Sequence, residues 1–189
     1  MSINKRPLIA HIVATDENGL IGVDNKLPWS LVKEDMKFFQ SKTLHHVVLM
    51  GWNTIQSLPV RLNYRFIIGL SSPGRDLTKK DMSGDLEYFY HIADRLMLTV
   101  DGFIKDVEIP DGYNSNLIYI AGGGKIYDKT LAETDVVFRN VIKKPLIEWE
   151  GDKVYYPLDK LKTNFTLISS EEVTIEDGTM TKEIWAKPR

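Results

Sequence analysis

Three places in this 189-residue chain combine residue types and spacings that could do chemistry. The first is LPWSLVKEDMKFFQ, residues 27–40, where Asp35 stands among apolar residues. At helical spacing, positions 31, 35, 38, 39 and 42 fall near one face, so Asp35 shares a side with Leu31 and Phe39. A single acid there is more often a boundary residue or half of an ion pair than a catalyst. Glu34 competes with it for the inward position. The second place is Ala121-Gly122-Gly123-Gly124, after the apolar run LIYI. Bare backbone lets a ligand approach closely, and helix amides beyond it would face an anion such as a dinucleotide pyrophosphate. The plain alternative is a tight strand-to-helix turn, and the spacing is not that of G-x-G-x-x-G. The third is Arg65 in LPVRLNYRF, whose rigid guanidinium fork suits a carboxylate or caps a sheet edge. Thr54, three residues after Gly51, offers a hydroxyl that could equally be an ordinary early-helix residue.

Positioning these groups requires strands that end where they begin. LIAHIVA (8–14) is a near-continuous apolar run, as expected of a central strand covered on both faces. The polar loop TDENGLIGVDNK follows, then a helix from about Leu31 to Ser41. HVVLMG (46–51) leads into WNTIQSL, and RFIIGLSS (65–72) ends at Pro73-Gly74. SGDLEYFYHIADRLMLTV (83–100) has a helical pattern, and VEIPDGYNSN is a loop. LIYIAGGG (117–124) is a strand-to-helix junction, and VVFRNVI a further strand. Asp177-Gly178 marks a hairpin between two β-patterned runs. With no linker or repeat, the expectation is one domain over residues 1–189. Its fold would be α/β, a single mixed, mostly parallel central sheet with helices on both faces and an antiparallel C-terminal hairpin.

Composition narrows the chemistry. With 43% hydrophobic and 26% charged residues, the chain is of globular type, able to bury roughly 70% of its unfolded surface. Lys plus Arg number 24 against 26 acidic residues, which gives no electrostatic footprint for nucleic acid. No apolar run reaches the roughly 20 residues of a membrane span, and the start reads as an early strand, so a cytoplasmic protein is expected. Cysteine is absent and the four histidines lack ligand spacing, so no metal is expected.

In order along the chain come IVATDENGLIGVDNKLPW, an acid six residues after the tryptophan, VVLMGWNTIQSLP, RFIIGLSSPG, IYIAGGGKIY and EGDKVYYP. At these six separated places, covering most of the chain, the sequence resembles the dihydrofolate reductase family. The wording of QSLP and LVKED is most like its bacteriophage branch. The resemblance implies reduction of 7,8-dihydrofolate to tetrahydrofolate with NADPH, and inhibition by antifolates such as methotrexate or trimethoprim. Asp35 matches the family's active-site carboxylate, which grips the pterin. Leu27 and Trp29 match the loop that closes over the nicotinamide. Ile12 and Ala121 match strand ends lining the pterin and nicotinamide pocket, and Ala14 a backbone that binds the carboxamide. Phe39, Leu58 and Leu62 match apolar walls, and Arg65 the partner of the folate α-carboxylate. On the cofactor side the matches are Ile21, Gly51, Asn53, Thr54, Ser71, Ser72, Arg75, Gly122, Gly123, Gly124, Lys125, Ile126 and Tyr127. The family's Gly122-Gly123 bond is cis.

Three positions depart from the pattern. Trp52 replaces an arginine directed at the cofactor phosphates, and Asn63-Tyr64 replaces Pro-Gly. Arg139 stands where a threonine or serine hydrogen-bonds the acid. On that register Arg139 faces Asp35, lowers its pKa and competes with the pterin; a shift of one residue turns it to the opposite face. Two other functions compete. A riboflavin-pathway pyrimidine reductase shares the fold, but Asp35, the LPW loop and Arg65 argue against it. A non-catalytic pterin- or nucleotide-binding module is the reading that Trp52 and Arg139 keep open.

Overall fold

The computed structural model describes residues 6–70, 95–97, 109–145 and 150–188. In chain order the elements are β1 (Leu8–Thr15), β2 (Leu20–Val23), α1 (Lys33–Thr43), β3 (His46–Gly51), α2 (Trp52–Gln56), β4 (Phe66–Leu70), β5 (Arg95–Met97) and β6 (Asn114–Ile120). They continue with α3 (Gly124–Thr130), β7 (Val136–Lys143), β8 (Lys153–Tyr155), α4 (Leu158–Asn164), β9 (Thr166–Ile175) and β10 (Gly178–Ala186). Eight strands form one sheet in the order β5-β4-β3-β6-β1-β7-β10-β9. Pairing is parallel from β5 to β7, and β10 runs antiparallel to both β7 and β9. The mixed sheet with its antiparallel C-terminal hairpin is the expected one, and Asp177 takes the left-handed conformation (φ 61°) in the hairpin turn. A second, two-stranded sheet joins β2 to β8.

The unbroken apolar runs have a simple cause: alternate residues enter two separate apolar layers. Ile9, Val13, Val47, Leu49, Ile68, Ile118, Ile120 and Val137 pack on one face with Tyr127 of α3 and Leu161 of α4. Ala10, Ile12, Val48, Met50, Ile67 and Tyr119 pack on the other with Phe38 and Phe39 of α1 and Ile55 of α2. Trp52 is also in this second layer, 4% exposed. The tryptophan is therefore a core residue and does not present its ring at the surface.

His11 is the polar exception in β1, fully buried. Thr130 donates its hydroxyl to the Ile126 carbonyl at 2.7 Å, so its oxygen accepts from His11 Nε2–H at 2.8 Å. Tyr156 then donates to Nδ1 at 2.9 Å, which fixes one neutral tautomer. Burial pushes the His11 pKa down to about 3.

Two element boundaries differ from expectation. Helix α1 begins at Lys33, not Leu31: Val32 is its extended N-cap, and Leu31 lies outside it, 62% exposed. Residues 95–97 of the run expected to be helical are strand β5, parallel to β4; the rest of that run lies outside the described residues. Among the described residues no helix is long and apolar enough to cross a membrane.

Candidate functional site

Adjacent strand residues point to opposite faces, and β7 places two polar side chains in succession. Asn140 turns toward α1 and donates from Nδ2 to Asp35 Oδ1 at 2.7 Å. Arg139 turns the other way, to Thr15, Asp16 and Glu183. The expected register, with Arg139 at the position that contacts Asp35, is corrected by one residue. In the β1–β7 ladder it is Asn140 that lies opposite Ala14, and Arg139 opposite Val13. Competition between Arg139 and a ligand for Asp35 does not arise.

Asp35 is the acid of α1 that reaches the sheet. Loss of water raises its carboxyl pKa above the ordinary value, and the donation from Asn140 opposes part of that rise. The far end of the same helix organises a cation. Thr43 Oγ1 accepts from Arg65 Nε at 3.1 Å while donating to the Phe39 carbonyl at 2.8 Å, and Arg65 Nη1 donates to the Asn63 carbonyl at 2.8 Å. Arg65 is 7% exposed, and burial lowers its pKa. Among the described residues no carboxylate pairs with it. Asp35 and Thr43 are separated by eight positions, roughly 12 Å of helix rise. Phe39, Leu58 and Leu62, all partly buried, pack against the adjoining apolar layer. The arrangement suits an elongated ligand with N–H donors at one end and a carboxylate at the other.

The sheet's other contribution is the glycine junction after β6. The Ala121 amide donates to the Leu49 carbonyl at 2.9 Å and the Gly51 amide to the Gly122 carbonyl at 2.7 Å, which fixes the junction to β3. The Gly122–Gly123 peptide is cis, and Gly122 has φ 117°, where a side chain would be strained. Gly124 is roofed closely: a Cβ there would strike Val154 of β8, with Ile21 Cδ1 of β2 only 3.7 Å away. Thr54 Oγ1 lies 3.2 Å from where a Gly122 Cβ would be. Buried Tyr127 donates its hydroxyl to the Ile12 carbonyl at 2.7 Å, tying α3 to β1.

Among the remaining predicted residues, Ile126 packs against Gly51, while Asn53 and Lys125 are exposed. Leu27 is 50% exposed, and Trp29, at 3%, is buried with Val32, Ile142, Ile175 and Met180. Ser71, Ser72 and Arg75 lie outside the described residues. Sequence reasoning missed Asn140 and Thr43. The strand pattern held a signal for the first. Val137, Arg139 and Val141 share one face, Phe138, Asn140 and Ile142 the other, so only one of the two polar residues could face α1.

Residues 8–184 match the family model described as dihydrofolate reductase. The chain is 34% identical over 161 residues to a dihydrofolate reductase of Enterococcus faecium, covering 84% of this chain and 83% of that one. It is 29% identical over 172 residues to one from Bacillus subtilis, covering 90% and 87%. Among solved structures, a dihydrofolate reductase from Enterococcus faecalis, complexed with NADP(H) and RAB-propyl, is similar with a TM-score of 0.73. That likeness covers 96% of this chain and 97% of the other at 24% identity.

Proposed function

As the chain belongs to the dihydrofolate reductase family, we propose that it reduces 7,8-dihydrofolate to 5,6,7,8-tetrahydrofolate with NADPH, as one catalytic unit in the cytoplasm. The observation that carries this reading is the combination, along one helix, of Asp35 held by Asn140 with Arg65, which no carboxylate pairs with among the described residues, organised from the other end of α1.

Each group has a derivable task. Asp35 accepts two parallel N–H donors, the 2-amino group and adjacent ring nitrogen of a pterin, and orients the ring through charge-assisted bonds. Its raised pKa favours keeping a proton close to the ring nitrogen that must be protonated. Arg65, already fixed by Thr43 and Asn63, receives the α-carboxylate of the glutamyl tail, with no carboxylate among the described residues to displace. Phe39, Leu58 and Leu62 exclude water between the two ends. Leu27 and Trp29, in the segment leading into α1, close over the nicotinamide in this reading.

The residues present fit the nicotinamide cofactor. Bare backbone at Gly122 and Gly123 leaves room for a close-lying ligand beside Thr54, and Gly124 lets Val154 and Ile21 pack down on the junction. Ala14, Gly51, Asn53, Lys125, Ile126 and Tyr127, with Ser71, Ser72 and Arg75, complete its expected site. Bound there, the cofactor supplies the hydride. Methotrexate and trimethoprim, as flat rings bearing adjacent N–H donors, should compete for Asp35.

The direct test is the fall in absorbance at 340 nm when NADPH and dihydrofolate are mixed with the purified protein. Turnover that stops with methotrexate supports the reading. Tight NADPH and pterin binding without turnover would favour a binding module instead.

A further inference from the structure

The buried cation that the pterin site does not use is Arg139. Its exposure is 4%, and all three nitrogen positions of its guanidinium are engaged. Nη1 pairs with Glu183 Oε2 at 3.0 Å, Nε donates to Thr15 Oγ1 at 3.0 Å, and Nη2 donates to the Asp16 carbonyl at 3.1 Å. Glu183 lies directly across the β7–β10 ladder and also accepts from Trp185 Nε1 at 2.9 Å. The carboxylate therefore holds the guanidinium from one side, so that its other edge is presented to the end of β1.

What the guanidinium holds is a loop hub. The Asp16 carbonyl also accepts from the Thr15 hydroxyl at 2.6 Å and the Gly19 amide at 3.2 Å. The Asp16 carboxylate accepts from the amides of Asn18 at 2.9 Å and Leu20 at 2.7 Å. Thus the turn over 16–20 closes on a single residue whose carbonyl points at Arg139. The next residue, Ile21, reaches over Gly124, and β2 pairs with β8, whose Val154 completes the roof. The chain of contacts runs from Arg139 through Asp16 and the β2 start to the glycine surface. Asp35 lies on the opposite face of β7, with Asn140.

We propose that Arg139 is a positioning residue for the cofactor side: through the Asp16 carbonyl it sets how the β2–β8 roof sits over Gly124, and so sets affinity for NADPH while leaving pterin affinity alone. The inference rests on the reading of this site as a dihydrofolate reductase. A buried ion pair adds little net stability compared with well-packed apolar residues of similar volume, but it fixes geometry. That difference provides the test. In the double variant Arg139→Met with Glu183→Met, apolar packing replaces the pair, but nothing donates to the Asp16 carbonyl from β7.

The measurements are quenching of tryptophan fluorescence by NADPH and by methotrexate, each titrated alone, with amide hydrogen exchange at Gly19 and Leu20. The double variant is expected to unfold near the wild-type temperature and bind methotrexate as the wild type does. NADPH binding should weaken about five- to tenfold, the weight of one hydrogen bond of loop order. Exchange at Gly19 and Leu20 should quicken without ligand. Glu183→Gln, which keeps an acceptor for Arg139 and Trp185, should give a smaller loss of the same pattern. Unchanged NADPH affinity in the double variant, or equal weakening of both ligands, overturns the proposal. Should the double variant not fold, unchanged NADPH affinity and exchange in Glu183→Gln overturn it as well. A wild type that binds no NADPH would instead remove the functional reading itself.

Discussion

Replacing Asp35 by asparagine should make the protein more stable at neutral pH and nearly inactive. In the folded state burial raises the Asp35 pKa above the ordinary 3.8. A raised pKa means that the folded chain binds the proton more tightly than the unfolded one. The stability this group contributes is full below 3.8 and is lost as pH rises through the folded value. Each unit of elevation is worth about 1.4 kcal/mol at pH above both values. In a chain of this length about 1 kcal/mol moves Tm by roughly 2–4 °C. Asparagine carries no charge at any pH, and its carbonyl still accepts from Asn140 Nδ2, so the fold loses no contact. The variant should therefore melt close to the wild type at pH 4 and above it at pH 8. Turnover should fall about a hundredfold or more, because two charge-assisted hydrogen bonds to the pterin weaken. Thermal unfolding at pH 4, 6 and 8, alongside NADPH oxidation, reads both effects. A variant less stable than wild type at pH 8, or a Tm difference that ignores pH, would refute the reasoning. Glu34→Gln should change neither quantity; if it is the inactive variant, the acid has been misassigned.

Further outcomes follow from the same geometry. Arg65→Leu should weaken folate binding by about 2 kcal/mol or more, roughly thirtyfold, while sparing NADPH; pteroate, which lacks the glutamate, should bind both proteins alike. His11, with a folded pKa of about 3 against 6.5 unfolded, contributes stability that is lost as pH falls from 6.5 toward 3. Between pH 7 and 4.5 that loss is roughly 2–3 kcal/mol, and urea midpoints for His11→Gln should show a shallower decline. Because Trp52 is buried and supplies no cation, the preference for NADPH over NADH should be about tenfold to a hundredfold and should collapse in Arg75→Ala, measured as kcat/KM with each cofactor.

The sheet was legible because its strands are buried on both sides: runs such as HVVLMG and LIYI leave no doubt about strand identity, and the glycine triplet marks where β6 must turn. The end of the 83–100 run was misread as helix because a three-residue strand such as Arg95–Met97 is too short to show a period. The site was legible to the level of residue type. LPW, the acid, Arg65 and the glycines could be picked out as candidates, yet what holds them could not, because supporting contacts join residues far apart in sequence. Thr43 steadies Arg65 from 22 positions away, and Asn140 steadies Asp35 from 105.

The largest ambiguity turned on a single residue of register in β7, since a slip of one exchanges the two faces. Read with Arg139 toward α1, the strand puts a cation against the acid proposed to grip the substrate. With Asn140 there instead, both polar residues acquire a role on their own face. The short amide fits the gap between α1 and the sheet and leaves Asp35 able to accept further donors. The long guanidinium needs an acceptor for each of its nitrogens to leave water, and it finds them in Glu183, the Thr15 hydroxyl and the Asp16 carbonyl. Chemistry thus selects the register that periodicity alone left open: an unpaired arginine is costly to bury, so its place in a strand is fixed by where its acceptors lie.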